Sequence, residues 1–185
     1  HAQILLVFIE TFCFILGFIS SIMVRKNYGK IVRPTLFKME FQMDFGYGKV
    51  LELKAKNWYS GDFLFQSEKQ DYELKRIGVF NGKNLIKTKE GKELGYLKWG
   101  WGGMKTTYTE LSGRVYTFKR KSMWSWERFW VDEQGNEVCR IVKNIKWFKT
   151  TTEVEYDVNA DPEFPVFMLW LGFIIMLKEN QKAAQ

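Results

Sequence analysis

The sequence contains a single histidine, at position 1, and this scarcity excludes most familiar catalytic centres. A Ser-His-Asp triad, a Cys-His pair and a histidine-based metal site each need a histidine. The phosphate-binding patterns G-x-x-x-x-G-K-[ST] and G-x-G-x-x-G are missing, and "WGWGG" at 99–103 is interpreted as a tight corner because no helix pattern follows it. The acidic turn residues at 132–133, 161 and 163 offer too few oxygen ligands for calcium. We therefore expect no enzymatic activity, no catalytic residues, no cofactor and no metal site.

Cysteine and proline are also scarce. The two cysteines, Cys13 and Cys139, lie in an apolar run and in a predicted strand, so a disulfide scaffold is not expected and a reducing compartment fits. Only three prolines occur, so no proline-rich linker divides the 185 residues. This length suits one sizeable domain with a small appendage.

The composition that is present favours β-structure. The chain is 46% hydrophobic and 26% charged, so it is neither disordered nor wholly embedded in a membrane. Aromatic residues reach 17%, which suits strands better than helix bundles. The net charge of +7 favours an anionic partner, phospholipid head groups or nucleic acid, although solubility alone explains it equally well.

Residues 4–24, "ILLVFIETFCFILGFISSIMV", form an almost uninterrupted apolar run that stops at Arg25 and Lys26. A helix of this length spans a bilayer. A signal peptide would need a basic start and a small-residue cleavage site, and neither is visible. A long buried helix of a soluble protein is the alternative. We predict a transmembrane anchor over residues 1–26 and a linker over 27–34.

Positive charge follows the apolar run and does not precede it, since Arg25, Lys26, Lys30 and Arg33 come soon after its end. The positive-inside rule therefore predicts a single-pass membrane protein with its β-domain on the cytoplasmic side. Glu10 is the one charge within the run, and an ionised carboxylate in lipid costs on the order of a few kcal/mol. A membrane-protein partner that pairs with Glu10 is one explanation; protonation and closeness to the outer interface are others.

The chain from Thr35 to Val158 shows the period-two alternation of half-buried strands. In "LFKMEFQMDF" (36–45), apolar residues take every second position and polar residues take the others. Turn signals separate ten further segments of this kind. The candidate strands after the first are 49–56, 62–68, 71–79, 84–88, 93–99, 104–110, 114–121, 124–131, 137–143 and 147–158.

Two stretches repeat at a constant offset of 44 residues: "EGKELGYLKWGWGGMKTTYTE" (90–110) and "QGNEVCRIVKNIKWFKTTTEV" (134–154). Gly91 matches Gly135, and Glu93 matches Glu137. A period of this size fits a propeller blade or duplicated meanders, and two copies are too few for a propeller. The repeat therefore favours a single barrel with an internal duplication.

The segment after the strands, "PEFPVFMLWLGFIIMLKENQ" (162–181), holds twelve uncharged residues between Pro165 and Lys178. As a helix they extend roughly 18 Å, too short for a hydrocarbon core of roughly 30 Å. Because the helix is apolar on every side, protein must enclose it. We predict an all-β fold over residues 35–185: a closed antiparallel barrel of about 11–12 strands around a C-terminal hydrophobic helix at 165–177, preceded by the N-terminal transmembrane helix.

This pattern resembles the tubby C-terminal-like superfamily, and most of all the LURP-one-related proteins and the phospholipid scramblases. The resemblance is carried by "DEQGNEV" (132–138), by "WFKTTTEVEYDV" (147–158), and by the transition from "ADPE" to "FMLWLGFII" (160–175). It implies a barrel threaded by its last helix, and an association with membranes through phosphoinositide head groups or lipid movement. The N-terminal run departs from the family's usual order, and no lipid-site motif carries over.

The best basic patch lies in "RVYTFKRKSMWSWERFW" (114–130). Basic side chains beside exposed tryptophan suit a membrane interface, while a solvated strand end is an equally good explanation. The candidate lipid-binding residues are Arg114, Lys119, Arg120, Lys121 and Arg128.

Tryptophans recur at spacings of two and four, at 99 and 101 and at 124, 126 and 130. This spacing places each set on one face of a strand. Such a face suits a stacking platform for bases or sugars, but we favour core packing on the central helix.

Three functions compete. The first is a membrane-anchored, non-enzymatic module that docks on anionic phospholipid head groups, with no nucleic acid expected as a partner. The second is a structural or accessory subunit of a membrane protein complex, held through the anchor and Glu10. The third, which ranks lowest, is lipid movement by analogy with the scramblases.

Overall fold

A closed barrel of twelve antiparallel strands surrounds one C-terminal helix in the computed structural model, which describes residues 26–34, 38–57, 61–77, 83–100, 105–122, 124–146 and 149–183. Each strand pairs with its neighbours in sequence, and β1 pairs with β12 to close the ring. The strands are β1 (Lys26–Val32), β2 (Glu40–Asp44), β3 (Val50–Asn57), β4 (Asp62–Gln66), β5 (Asp71–Ile77), β6 (Lys83–Thr88), β7 (Glu93–Lys98), β8 (Thr106–Glu110), β9 (Val115–Arg120), β10 (Glu127–Val131), β11 (Glu137–Lys146) and β12 (Lys149–Asp157). Helix α1 spans Glu163–Ala183. The predicted barrel and its C-terminal helix are confirmed.

The alternating pattern of the sequence places one face of each strand toward the lumen. In β2, Phe41 and Met43 are buried and lie opposite Leu53 and Leu51 of β3. Charged residues alternate with them and face outward. Because successive side chains of a strand point to opposite faces, this register keeps the apolar set inside.

Helix α1 fills the lumen. Every residue from Val166 to Met176 is buried, including the five that the sequence predicts to be enclosed, which are Phe167, Leu169, Leu171, Phe173 and Ile174. Asp161 caps the start of the helix: its Oδ1 accepts a hydrogen bond from the backbone N–H of Glu163 at 3.1 Å, and Pro162 lies between the two residues. A helix that is apolar on all sides is stable here because the barrel wall surrounds it.

Residues 27–34, predicted as a linker, instead contribute strand β1, which pairs with β12 and β2. The alternation of apolar and polar residues is not visible in this strand because one of its inward positions is occupied by Gly29, which has no side chain. A Cβ atom there would lie 2.5 Å from Cδ1 of Phe45, so the Phe45 ring occupies the space of the missing side chain. Ile31 is then the single large apolar residue that β1 directs into the core.

The 44-residue repeat is visible in the backbone of two hairpins, β6–β7 and β10–β11. Gly91 and Gly135 both have positive φ, at 93° and 89°. Their N–H groups donate to the carbonyls of Thr88 and Asp132, at 2.9 and 3.1 Å. The ladder shifts register between residues 86 and 87 in one hairpin and between 130 and 131 in the other. All these positions differ by 44, so the two hairpins carry the same turn and the same bulge.

The barrel has two distinct ends. We call the end at which α1 begins the entry end; it holds Lys26 at the start of β1 and the connections 45–49, 67–70, 89–92, 111–114, 132–136 and 158–162. The opposite exit end holds the other strand termini and the last turns of α1. Whatever precedes β1 therefore joins the barrel at the entry end.

The predicted membrane-spanning run at 4–24, together with Glu10 and Cys13, lies outside the described residues. Within the described part of the chain, no helix combines the length and the apolar character that a membrane crossing requires.

Candidate functional site

Charge is divided between the two ends of the barrel. At the entry end, six strands begin or finish with an acidic residue: Asp44, Asp71, Glu93, Glu110, Glu137 and Asp157. At the exit end, five strands begin or finish with a basic residue: Lys83, Lys98, Arg120, Lys146 and Lys149. Three begin with an acidic residue: Glu40, Asp62 and Glu127. The excess of basic residues is therefore concentrated at the exit end.

The two ends also differ in how their charges are paired. Entry-end carboxylates have cationic neighbours: Asp71 lies 3.3 Å from Lys89 Nζ, and Glu110 lies 2.8 Å from Arg114 Nε. At the exit end, Lys121 pairs with Glu127 at 2.8 Å. Lys119, Lys98 and Lys105 have no carboxylate within 4 Å among the described residues. An unpaired surface cation keeps its field for an external anion, so the exit end is the electropositive surface of the molecule.

The β9–β10 connection, residues 121–126, presents this surface. It is held in place by backbone hydrogen bonds from Lys121 N to Glu127 O (3.1 Å) and from Ser125 N to Ser122 O (3.2 Å). The Ser125 hydroxyl also accepts the N–H of Glu127 at 3.0 Å. These bonds fix the turn that carries the next two aromatic side chains.

Two tryptophans project from the β9–β10 connection into solvent. Trp124 is 90% exposed and Trp126 is 52% exposed. The Lys143 ammonium lies 5.2 Å from the centre of the Trp126 ring, a cation–π contact. Lys119 and Arg120 on β9 are exposed directly beside the connection. We call Lys119, Arg120, Lys121, Trp124 and Trp126 the Trp124 surface.

Arg114 is not brought to this surface. It precedes β9, whereas Lys121 follows it, so the two residues stand at opposite ends of the barrel, roughly 20 Å apart at about 3.3 Å per residue. Arg114 instead pairs with Glu110 at the entry end. The five candidate lipid-binding residues therefore do not form one patch.

Arg128 is not part of the surface either, because it faces the lumen. It is 8% exposed, forms an ion pair with Glu179 of α1, and lies 6.0 Å from the centre of the Phe118 ring. Arg128 and the buried Trp130 are two residues apart on β10, so their side chains point to the same face of the strand. The structure thus keeps Lys119, Arg120 and Lys121 together and assigns Arg128 to the core.

The predicted tryptophan face is confirmed for Trp130 only. Trp130 is fully buried against the helix. Trp124 and Trp126 are exposed because β10 begins at Glu127, which leaves them in the connection rather than on the strand. Trp99 is half-buried against the core, with the Lys178 ammonium 5.0 Å from its ring centre, and Trp101 lies outside the described residues.

The entry end contains a cavity of about 480 Å³ that the sequence did not predict. Tyr72, Tyr108 and Phe167 line its apolar wall, and Glu163 stands at its edge. Glu163 accepts hydrogen bonds from the Tyr72 hydroxyl, from the Ser67 hydroxyl and, at 2.9 Å, from the Lys69 N–H. In the sequence, Tyr72 and Tyr108 look like the other inward-facing residues of the strands. Nothing in the sequence therefore indicated a cavity beside them.

Neither the Tyr72 phenol of this cavity nor the Cys139 thiol of the core ionises near neutral pH. Burial, together with the hydrogen bond to Glu163, raises the pKa of Tyr72 to about 12, so its phenol stays protonated. Burial raises the pKa of the free Cys139 thiol well above its ordinary value. Among the described residues, no group of three or more His, Cys, Asp or Glu side chains is placed to hold a metal ion.

The most prominent exposed arrangement among the described residues is the Trp124 surface. It joins exposed indole rings to three adjacent cations at one end of a rigid barrel. No family model, curated protein or solved structure matches this chain.

Proposed function

We propose that the protein is a non-enzymatic, membrane-anchored β-barrel module whose Trp124 surface docks on anionic phospholipid head groups. The observation that carries the proposal is the position of the exposed Trp124 indole beside Lys119, Arg120 and Lys121. Indole rings partition to the level of the head groups, and each Lys or Arg near an anionic surface contributes about 1 kcal/mol.

The anchor in this proposal is the apolar run at 4–24. As a transmembrane helix with basic residues after it, the run orients the barrel toward the cytoplasm. The barrel threaded by its last helix supports kinship with the tubby C-terminal-like superfamily, since that architecture is the one the resemblance implies.

Vesicle binding of the fragment 26–185 tests the docking surface. The fragment contains all twelve strands and α1, so its barrel is closed; a fragment beginning at 34 would lack β1. Changing Lys119, Arg120 and Lys121 to Gln should weaken co-sedimentation with phosphatidylserine vesicles by about a hundredfold at low salt. The effect should shrink as salt rises, because the screening length falls to about 8 Å at physiological ionic strength.

A matched variant separates this surface from net charge. Lys69→Gln, Lys89→Gln and Arg114→Gln together remove the same charge at the entry end, where each residue pairs with a carboxylate. This entry-end variant should bind the vesicles within a few-fold of the wild type. Equal weakening by both variants, or equal binding to neutral and anionic vesicles, would contradict docking through the Trp124 surface.

A second candidate function is an accessory subunit of a membrane protein complex, favoured by the single carboxylate of Glu10 within the apolar run. A charge in lipid is costly, and pairing with a neighbouring helix offsets that cost. Purification of the full chain in mild detergent should then yield a fixed partner, and Glu10→Gln should release it. A full chain that purifies alone, with Glu10→Gln behaving identically, would contradict this candidate.

A further inference from the structure

The exit end lies on the far side of the barrel from the point where the N-terminal segment joins it. β1 begins at Lys26, which pairs with Asp157 and contacts the carboxylates of Glu137 and Glu155, all near the entry end. The 21-residue helix α1 runs from the entry end to the exit end. At about 3.3 Å per residue, the six-residue strand β9, which joins the two ends, separates them by roughly 20 Å.

The connection between the proposed anchor and β1 is very short. The apolar run finishes at Val24 and β1 begins at Lys26, so Arg25 alone stands between them. One extended residue reaches about 3.5 Å, far less than the length of the barrel. An anchor that crosses the membrane at 4–24 therefore holds the entry end against that membrane and the Trp124 surface away from it.

Electrostatics agrees with this orientation. A separation of roughly 20 Å is more than twice the screening length of about 8 Å, so the attraction of the Trp124 surface to the anchored membrane is largely screened. The end next to that membrane is rich in carboxylates, which an anionic leaflet does not attract.

We propose that the Trp124 surface binds the anionic surface of a second membrane, so that one chain bridges two bilayers. This inference rests on the proposed function and adds the identity of the surface that is bound. The barrel then acts as a spacer, and the gap between the two membranes is set by its length, roughly 20 Å or slightly more.

The test uses the full chain in phosphatidylcholine vesicles, mixed with protein-free acceptor vesicles. Acceptors that contain phosphatidylserine should cluster with the protein-bearing vesicles, and acceptors of phosphatidylcholine alone should not. Light scattering should show at least a tenfold loss of clustering for the triple variant of the Trp124 surface, Lys119→Gln, Arg120→Gln and Lys121→Gln. The entry-end triple variant, Lys69→Gln, Lys89→Gln and Arg114→Gln, should cluster like the wild type. Electron cryomicroscopy of the clusters should show the expected gap.

Docking on the anchored membrane is measured in parallel. The full chain is placed in phosphatidylserine vesicles that contain brominated lipid, and the fluorescence quenching of Trp124 is obtained as the difference from a Trp124→Phe variant. Quenching without clustering would overturn the bridge and leave lipid docking standing. Absence of clustering, when the fragment 26–185 binds phosphatidylserine vesicles, would also overturn the bridge alone. Absence of clustering, quenching and fragment binding would overturn both, and would direct attention to a protein or nucleic-acid partner.

Discussion

Arg128 of β10 and Glu179 of α1 form an ion pair that ties the barrel wall to the helix at the exit end. The Arg128 side chain is about one-tenth exposed and the Glu179 side chain about one-fifth. Charges held away from water stabilise a fold only as a pair, because either one alone keeps its desolvation penalty. The pair therefore fixes how the end of α1 sits in the barrel.

Breaking this pair from either side should destabilise the fold. Arg128→Met or Glu179→Met should each lower the free energy of unfolding by about 3 kcal/mol, toward the low end for a buried pair because Glu179 still reaches water. The double variant should recover much of the loss, and urea denaturation of all four proteins gives the coupling energy. Lys121→Gln, which breaks the more exposed pair with Glu127, is the control and should cost at most about 1 kcal/mol. Additive single effects would contradict the coupling.

Gly172 should not tolerate alanine, although alanine normally favours a helix by about 1 kcal/mol over glycine. A Cβ atom at this position would lie 2.8 Å from Ile141 Cδ1, 2.9 Å from Phe118 Cε2 and 3.0 Å from Trp130 Nε1. Overpacking of this kind costs about 1–3 kcal/mol and outweighs the helix-propensity gain, so we expect Gly172→Ala to lower stability by up to about 2 kcal/mol net. Asn180→Ala, at an exposed position of the same helix, should lose nothing in the same thermal melts. A Gly172→Ala protein that melts at a higher temperature than the wild type would show that the neighbouring barrel side chains move to accommodate the methyl group.

Leu171→Asp should unfold the barrel. Leu171 is fully buried in the lumen, and an unpaired charge there costs several kcal/mol, comparable with the stability of a whole domain. Leu171→Met conserves volume and should remain folded. Far-ultraviolet circular dichroism and thermal melting distinguish the two. Wild-type melting of the aspartate variant would contradict the position of α1 in the core.

Stability should fall in alkaline solution above about pH 10. Burial raises the pKa of Tyr72 and of Tyr156 from 10.0 to about 12. The unfolded chain then loses these protons at lower pH than the folded chain, so the stabilisation is complete below pH 10 and is lost as pH rises toward 12. Each tyrosine accounts for about 1 kcal/mol at pH 11.

Melting temperatures between pH 8 and pH 11 check this expectation. Tyr156→Phe should reduce the alkaline loss, while Tyr28→Phe, which removes the hydroxyl of an exposed side chain, should not. An alkaline slope that is identical in all three proteins would assign the loss to other groups, the lysines above all.

The sequence predicts the barrel well because its driving force is local and periodic. Alternation along 36–45 defines the inward face of β2, and the apolar helix after Pro165 has no stable place except inside the ring. β1 escaped prediction because Gly29 interrupts the alternation, and the Phe45 ring that makes this glycine necessary comes from another strand.

The candidate site was only partly predictable. Arg128 lies two residues before Trp130, so the strand pattern already placed both side chains on the inward face. Arg128 was nevertheless predicted to be exposed because charged side chains usually face water. Arg114 and Lys121 flank a strand of six residues, and this spacing alone separates them. The division of charge between the two ends depends on ring closure, which joins residues more than a hundred positions apart, such as Lys26 and Asp157.

Ring closure through β1 and β12 also dictates an order of assembly during synthesis. β1 is translated first among the strands, but its partner β12 emerges from the ribosome last of the twelve, and the helix that fills the lumen follows even later. Until α1 arrives, the inward faces of the twelve strands have no helix to pack on. The core therefore cannot be completed before α1 has been synthesised, and a nascent β-meander with an exposed apolar face is the state that chaperones would have to protect.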